Sequence, residues 1–247
     1  MQTLLIILLS IIIIGIIYIK IKMPAIKGKY GELKVASTLS SLPKNKYIVL
    51  NNIMLVKNRH SSQIDHIVIS PYGIFVIETK NYKGEIYGRE TVQYWTQTIG
   101  NNEYPLYNPL WQNKTHIKYI AEALGNHEDI YHSIVVFVKA SNIKVTGASK
   151  NVIPLEDLIK HISKHKKRVM KYAECTKIAN RLKHLNVSNP FIRKSHKKRV
   201  KQAVKYSLTK ESTGICPRCG GHLVTRVGKN NLFQGCSNYP KCKYTTK

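Results

Sequence analysis

The sequence predicts an α/β protein in which a mixed sheet is flanked by helices. Two continuous apolar runs, QIDHIVIS at 63–70 and GIFVIETK at 73–80, are joined by the turn SPYG. Such runs are typical of strands buried at the centre of a sheet. The segment NPLWQNKTHIKYIAEALG at 108–125 has a capping asparagine, proline at its first helical position and a terminal glycine, which predicts a helix. Because strands and helices mix throughout, the fold class is α/β.

The first segment, residues 3–21, is predicted to be a transmembrane helix. It carries no charge from Thr3 to Ile19 and would reach roughly 25 Å at ~1.5 Å per residue, a little short of a hydrocarbon core unless the next lysine snorkels. A cleaved signal peptide is the alternative, but the segment lacks a basic start and a small-residue cleavage site. The lysines that follow it predict a single-pass cell-membrane protein with its short N-terminus outside and its soluble domains in the cytoplasm.

Residues 28–165 are predicted to form the α/β domain. Its first helix, KGKYGELKVASTLSSLP, carries an apolar stripe of Val35, Ala36 and Leu39, and the stripe extends backwards to Glu32. An acid on a buried stripe is unusual, although a first-turn glutamate is also favoured by the helix dipole. Further strands are predicted at YIVLNNIMLV, GEIYG, YWTQT and HSIVVFV, and a helix at IPLEDLIKHISKH.

A partly helical basic connector is predicted at 166–213. The stretch from Lys160 to Lys205 holds sixteen Lys or Arg and one acid, Glu174. The whole chain has 40 Lys and Arg against 13 Asp and Glu, a net charge of +27, and such an excess favours polyanionic partners. The connector is either a solvated tether or a segment that contacts nucleic acid phosphates or an anionic lipid surface.

The C-terminal residues 214–247 are predicted to bind zinc. Cys216 and Cys219 form a C-x2-C pair, and Cys236 and Cys242 a C-x5-C pair. In a reducing cytosol four clustered cysteines indicate a metal site, and four thiolates suit tetrahedral Zn²⁺. With no open coordination position, the zinc would be structural.

This segment resembles the C-terminal zinc ribbons of type IA DNA topoisomerases, in CPRCGGHLVTRVGK followed by GCSNYPKCKYT. The resemblance covers about residues 214–246 and implies binding of single-stranded DNA. Aromatic and basic side chains alternate there, as base stacking and phosphate contact require. The candidate nucleic-acid-binding residues are Arg218, Arg226, Lys229, Phe233, Tyr239, Lys241, Lys243 and Tyr244. Topoisomerase activity is rejected because no large cleavage domain is present.

The central strands carry a candidate metal-dependent active site. Glu78 and Lys80 are two residues apart, so they share one face with Ile74 and Val76. Asp65 lies inside an apolar strand, where an unpaired carboxylate is costly. Carboxylates that hold Mg²⁺, next to a lysine that helps to position water, are what phosphodiester hydrolysis needs.

The order of elements resembles the nuclease-related domain family, a relative of the PD-(D/E)xK endonucleases. The matching phrases are GELKVASTL, QIDHIVISPYGIFVIETKNYKGEIYG, YWTQ and YNPLWQNKTHIKYI, over about residues 28–143. The resemblance implies a restriction-endonuclease-like core, with Asp65 and Glu78 binding Mg²⁺, Lys80 catalytic and Glu32 completing the metal shell. Gln112 resembles a glutamine near the phosphate in related nucleases, but His116 stands where a tyrosine is usual.

Three other polar features are predicted to have no functional role. His66 is expected on the opposite strand face from Asp65, as a hydrogen-bonded core or edge residue. His161 and His165 are expected on a solvated helix face, and Cys175 has no partner.

The sequence therefore predicts a membrane-anchored DNA-processing protein with a Mg²⁺-dependent nuclease domain and a DNA-binding zinc ribbon. The alternative is a non-catalytic nucleic-acid-binding module at the membrane. A third hypothesis is that the positive charge serves the inner leaflet of the membrane.

Overall fold

The computed structural model describes residues 2–58, 60–125, 128–147, 149–228 and 232–246. In these residues a seven-stranded mixed sheet is flanked by helices, and a two-stranded ribbon follows at the C-terminus. The predicted α/β class is therefore confirmed.

The helices are α1 (Gln2–Leu39), α2 (Pro109–Leu124), α3 (Leu158–Ser163), α4 (Tyr172–Leu185) and α5 (Pro190–Ser212). The strands of the main sheet are β1 (Ile48–Lys57), β2 (His60–Ser70), β3 (Gly73–Arg89), β4 (Tyr94–Ile99), β5 (Asn102–Tyr107), β6 (Tyr131–Thr146) and β7 (Val152–Pro154). The ribbon consists of β8 (Leu223–Val227) and β9 (Leu232–Cys236).

Strand β3 organises the sheet. It pairs antiparallel with β2 through 73–77 and with β4 through 85–87, and it runs parallel to β6 along most of its length. Strands β1, β2 and β3 form an antiparallel meander, whereas β3, β6 and β7 are parallel. The centre of the sheet is thus mixed, with β2 and β6 beside the first part of β3.

The alternation of side chains along β3 divides the core between two faces. Ile74 and Val76 pack in one cluster with Ile117 and Ile120 of α2 and with part of α4. Their neighbours in the sequence, Phe75 and Ile77, pack in a second cluster with α1 and α3. Because both faces are covered, the continuous apolar run that predicted a central strand is what this position requires.

Helix α2 begins and ends where the sequence predicts. The Asn108 side chain accepts a hydrogen bond from Leu110 N over 3.0 Å, and its amide donates to Val92 O over 2.7 Å. Gly125 ends the helix in the left-handed region at φ 68°. Capping at both ends fixes α2 across the sheet.

The N-terminal prediction needs correction. Residues 3–21 belong to α1, which continues past Pro24 to Leu39, so the two predicted helices are one. Within the described ranges, we found no helix whose length and apolar character would let it cross a membrane. The transmembrane helix predicted at 3–21 is therefore not supported.

Three further differences concern the strands and the connector. The segment GEIYG is the continuation of β3 rather than a separate strand, and β5 was not predicted. Register shifts between Lys80 and Lys83 and between Gly84 and Glu85 let β3 remain paired with β6 over this length. The basic segment 166–213 forms two helices, α4 and α5, and α4 packs in the core beside β1.

Candidate active site and zinc ribbon

The candidate site lies where β2 stops pairing with β3. The last paired residues are His66 and Ile77, so the backbone of β3 beyond this point has no partner in β2. The Thr79 backbone N–H instead donates to Asp65 Oδ2 over 2.9 Å. Asp65 therefore replaces a backbone acceptor at the point where the strands separate.

Glu78 and Lys80 face α2, as the alternation of β3 requires. Lys80 Nζ donates to Glu78 Oε1 over 2.7 Å and to Gln112 Oε1 over 2.9 Å. Glu78 Oε2 lies 3.1 Å from His116 Nε2, and His116 Nδ1 lies 2.6 Å from Ser62 Oγ. The side chain of Glu78 is 3% exposed and that of Lys80 13%. This charged pair is thus held inside a hydrogen-bond network at the edge of the core.

The two buried carboxyl groups on β2 and β3 have pKa values shifted in opposite directions, because Glu78 has cationic partners that outweigh its burial and Asp65 does not. Burial raises the pKa of Asp65 well above its usual range, and the Glu78 and Glu32 carboxylates raise it further. Burial alone would also raise the pKa of Glu78, but Lys80 and His116 lower it to about 2. Although burial opposes the charge on Lys80, Glu78 raises the pKa of its ammonium group. Glu78 and Lys80 are therefore a true ion pair.

Glu32 approaches the site from α1. Helix α1 comes close to β3 at Gly31, where an added Cβ would lie 2.7 Å from Asn81 Cβ, and the Asn81 amide donates to Lys27 O over 2.5 Å. Burial raises the pKa of Glu32, Lys197 lowers it and Glu78 raises it. Glu32 is thus close enough to interact with the acid on β3.

The carboxylates Asp65, Glu78 and Glu32 fit the oxygen-rich shell that Mg²⁺ prefers. Two of them, Asp65 and Glu32, have raised pKa values because burial and like charges oppose their ionisation. A divalent cation among them would relieve that repulsion. Their oxygens are not gathered into one compact set, since four cysteines are the one such group among the residues described. Cation binding would therefore require side-chain rotation.

The structure brings together all five residues predicted for this site, by direct bonds or by electrostatic interaction. Sequence reasoning missed the contacts of three further residues, namely His116, Ser62 and Lys197. In the sequence, His116 stood out only because a tyrosine is usual four residues after Gln112. Its contact with the site could have been predicted from that four-residue spacing, which puts His116 and Gln112 on one face of α2.

Two histidine predictions have different outcomes. His66 is buried and its Nδ1 lies 2.8 Å from Asn51 Oδ1, as expected of a hydrogen-bonded core residue. The solvated face predicted for His161 and His165 is wrong in part. The His165 ring lies 4.1 Å from the His132 ring and 5.0 Å from Phe75, and its Nδ1 is buried. Aromatic packing draws this side chain inwards.

Cys175 is a core residue. It is fully buried between α4 and the sheet, and burial raises the pKa of its thiol. A thiol of this kind is inert.

The four C-terminal cysteines converge into one potential metal site. Their sulfur atoms all lie within 4.8 Å of one another, with Cys219 Sγ 3.3 Å from Cys236 Sγ and Cys216 Sγ 3.8 Å from Cys242 Sγ. A hydrogen bond from the Gly221 backbone, together with weaker ones from neighbouring side chains, lowers the pKa of the Cys219 thiol to about 6. Four thiolates in this arrangement fit tetrahedral Zn²⁺, as predicted.

The candidate nucleic-acid residues of the ribbon differ in accessibility. Tyr239 is 61% exposed, and the Arg226 guanidinium lies 5.6 Å from the centre of its ring. Lys241 and Lys243 are exposed, and Phe233 is half-buried. One pocket on the ribbon surface is lined by Arg226, Phe233, Tyr239 and Lys243, whereas Lys241 is not among its lining residues.

Three of the ribbon predictions need comment. Tyr244 is 1% exposed, packs against the cysteines and donates a hydrogen bond to the Glu211 carboxylate, so it belongs to the ribbon core and base stacking is excluded. Arg218 stacks on the Trp111 ring at 5.2 Å and so joins the ribbon to α2. Lys229 lies outside the described residues.

Two family models match the chain. One, described as "Nuclease-related domain", matches residues 27–138. The other, described as "Topoisomerase DNA binding C4 zinc finger", matches residues 213–247. The two matched segments contain the carboxylate site and the four cysteines respectively.

Similar proteins also differ in how much of the chain they match, since one matches most of it and the topoisomerases match only a short segment. An uncharacterized protein of Bacillus anthracis is 34% identical over 183 residues, which is 73% of this chain and 86% of the relative. DNA topoisomerase 1 of Methanocaldococcus jannaschii is 66% identical over 36 residues, 15% of this chain but 5% of that enzyme. DNA topoisomerase 1 of Campylobacter jejuni is 43% identical over 56 residues, 23% of this chain and 8% of that enzyme. No solved structure matches the chain.

Proposed function

Since the chain belongs to the nuclease-related domain family and carries a topoisomerase-type C4 zinc ribbon, we propose that it is a DNA-processing enzyme that hydrolyses phosphodiester bonds with Mg²⁺. The ribbon binds the DNA, and the carboxylate site cuts it. The observation that carries the proposal is the meeting of Asp65, Glu78 and Lys80 where β2 leaves β3. If Glu78 and Lys80 formed only a structural ion pair, the additional carboxylates of Asp65 and Glu32 beside them would repel Glu78 without any benefit to the fold.

Each side chain has a role that its environment supports. Asp65, Glu78 and Glu32 would hold Mg²⁺, which supplies Lewis-acid stabilisation of the phosphate and a water of lowered pKa. The raised pKa of Lys80 keeps it protonated, so it donates hydrogen bonds and offsets the negative charge that develops on the phosphate. Gln112 fixes the position of the ammonium group through the 2.9 Å bond.

At the ribbon, Tyr239 and Phe233 would stack on bases while Arg226, Lys241 and Lys243 contact phosphates. This combination suits a single strand, whose bases are free to stack. The exposure of Tyr239 and its closeness to Arg226 support the proposal.

Cleavage of labelled single- and double-stranded DNA by the full chain with Mg²⁺ tests the activity. Glu78→Gln and Lys80→Met, which preserve side-chain size, are expected to lower the cleavage rate by at least about 100-fold, the usual minimum for loss of such a group. Glu122→Gln is the matched control, because Glu122 pairs with Lys57 on the surface at 2.9 Å. DNA binding should remain in all three variants.

Other results would favour the other hypotheses. Binding without cleavage under every divalent metal would identify a non-catalytic nucleic-acid-binding module. Tight binding to anionic vesicles, with no binding to DNA at moderate salt, would favour the lipid surface as the partner of the positive charge.

Membrane attachment through residues 3–21, with the soluble domains in the cytoplasm, stays a prediction from the sequence. Fractionation of cells that express the full chain tests it. Recovery in the membrane fraction after a high-salt wash, lost when residues 3–21 are deleted, would support the prediction. Release by salt would contradict it.

A further inference from the structure

Helix α5 lies against the candidate site and is fixed to the main domain along its length. Near its start, Arg193 donates to Asn52 Oδ1 over 2.6 Å. One turn later, His196 Nδ1 lies 3.0 Å from Ser61 Oγ, and Arg199 donates to the same oxygen over 2.7 Å. Ser61 precedes Ser62, the partner of His116, so α5 crosses β2 beside the carboxylate network.

The second half of α5 contacts the sheet and the ribbon. The buried Ser207 hydroxyl accepts a hydrogen bond from the Gln93 amide over 2.6 Å. Glu211 accepts one from Tyr244 in the ribbon core, and Ile215 N donates to Lys210 O over 2.9 Å. Helix α5 is therefore a fixed bridge between the carboxylate site and the ribbon, rather than the solvated tether that the sequence left open.

The side of α5 away from these contacts carries a stripe of exposed lysines. Successive members are separated by three, one, three and four residues, which puts them on one face of the helix. The lysine stripe consists of Lys194, Lys197, Lys198, Lys201 and Lys205. It spans about 16 Å at ~1.5 Å per residue. In the part of the chain that the structure describes, none of the five takes part in an ion pair.

One member of the stripe follows a residue that contacts the strand of the site. Lys197 comes directly after His196, whose Nδ1 lies 3.0 Å from Ser61 Oγ. Since the next residue of β2, Ser62, lies 2.6 Å from His116 of the carboxylate network, Lys197 marks where the stripe comes nearest to the site. The remaining four lysines lead from this point in both directions along the helix.

We propose that the lysine stripe of α5 binds the phosphate backbone of the nucleic acid that the site acts on, and holds it beside the carboxylate site. The inference rests on the proposed function, since it names where that substrate lies. Five neighbouring ammonium groups that take part in none of the ion pairs of the described residues suit a polyanion, because each contact with a phosphate releases condensed counterions. The fixed position of α5 makes this surface rigid before the substrate arrives.

The salt dependence of binding tests the proposal. The full chain is titrated with a labelled single-stranded oligonucleotide, without added Mg²⁺, over a range of salt concentrations. The test variant combines Lys194→Gln, Lys198→Gln and Lys201→Gln, which spares Lys197 and all anchoring contacts. Its slope of log affinity against log salt should be smaller than that of the unsubstituted chain by about 2, at ~0.7 for each lost phosphate contact.

A control of equal charge separates this effect from net charge. It combines Lys160→Gln, Lys177→Gln and Lys183→Gln, exposed lysines on α3 and α4. The control should keep the slope of the unsubstituted chain. Circular dichroism and bound zinc should be equal in all three proteins.

Equal slopes for the test variant and the control would overturn the lysine-stripe proposal while leaving the proposed function standing. Failure of the unsubstituted chain to bind DNA would overturn both. Unchanged DNA binding in the test variant, together with lost binding to anionic vesicles, would also overturn the proposal and assign α5 to a lipid surface.

Discussion

The Lys80 ammonium lies 2.7 Å from Glu78 Oε1 although both side chains are almost excluded from water. Each of these two residues of β3 therefore stabilises the charged form of the other in a buried environment. Taking either charge from water costs several kcal/mol, and the partner must compensate for it. Removal of one partner should consequently have a much larger effect than it would at the surface.

Lys80→Ala should lower the free energy of unfolding by about 3–5 kcal/mol, because it leaves Glu78 buried without its cation. Lys57→Ala, which breaks the exposed pair with Glu122, should cost about 0.2–1 kcal/mol. Urea unfolding followed by tryptophan fluorescence measures both, since Trp95 and Trp111 lie in the main domain. Equal losses in the two variants would contradict the dependence of Glu78 on Lys80.

Glu78→Gln should change how stability responds to acid. The pKa of Glu78 in the folded protein is about 2, below its usual 4.5. Its ionised form therefore stabilises the fold above pH ~4.5, and this contribution is lost as the pH falls towards 2. The stability difference between the unsubstituted chain and the variant should shrink as urea unfolding is repeated from pH 6 to pH 3. A constant difference would contradict the low pKa.

Asp65→Asn should have the opposite pH dependence. The pKa of Asp65 is raised in the folded protein, so its ionisation destabilises the fold as the pH rises through that value. Without divalent metal the variant should be the more stable protein at pH 8, and the difference should fall on acidification. An Asn oxygen can still accept from Thr79 N–H, and Asp129→Asn serves as an exposed control.

Mg²⁺ should reverse the order of Asp65→Asn and the unsubstituted chain. A ligand at 100 times its Kd stabilises the state that binds it by about 2.7 kcal/mol. Thermal unfolding at pH 8 with increasing Mg²⁺ should thus raise the Tm of the unsubstituted chain but not that of Asp65→Asn. Parallel increases in both proteins would place the metal elsewhere.

Removal of zinc should unfold the ribbon and leave the main sheet intact. The ribbon core consists of the cysteines and Tyr244, with Leu223 packed against them, which is too little to fold without metal. We expect one Zn²⁺ per chain in the unsubstituted protein and in Cys175→Ala, and none in Cys216→Ala. After chelation, urea should still unfold the main domain cooperatively, as followed by tryptophan fluorescence, although loss of Arg218 from the Trp111 ring changes the starting signal. Simultaneous loss of both domains on chelation would contradict their independence.

Tyr239→Ala should weaken single-stranded DNA binding by about 1–3 kcal/mol, the usual contribution of one stacked base. Tyr244→Phe keeps the buried ring and should leave binding unchanged, because that ring faces the cysteines. Fluorescence anisotropy with a labelled oligonucleotide distinguishes the two. An equal effect of both substitutions would show that the loss reflects ribbon stability rather than stacking.

Local patterns were sufficient to predict the centre of the domain. The alternation in GIFVIETK put Glu78 and Lys80 on the face of Ile74 and Val76, and the contacts with α2 confirm it. Both caps of α2 were also correct, because Asn108 and Gly125 act on their own backbone. In these cases the deciding interactions lie within a few residues of the pattern.

The rest depends on contacts between distant parts of the chain. His116 meets Glu78 from 38 residues away, and Ser61 meets His196 from 135 residues away. Because most residues of α5 are basic or polar, nothing in the sequence indicated that one face of this helix, which carries the buried Ser207, packs against the domain. Tyr244 resembled an exposed aromatic residue because only the folded ribbon shows that its ring covers the cysteines.

The hydrogen bond from Thr79 N–H to Asp65 Oδ2 has a consequence for coordination chemistry. The backbone amide thus holds the Asp65 carboxylate in place before any cation binds, because rotation of this side chain would leave that amide without its acceptor at the point where β2 and β3 part. The fold thereby orients Asp65 at the cost of its rotational freedom.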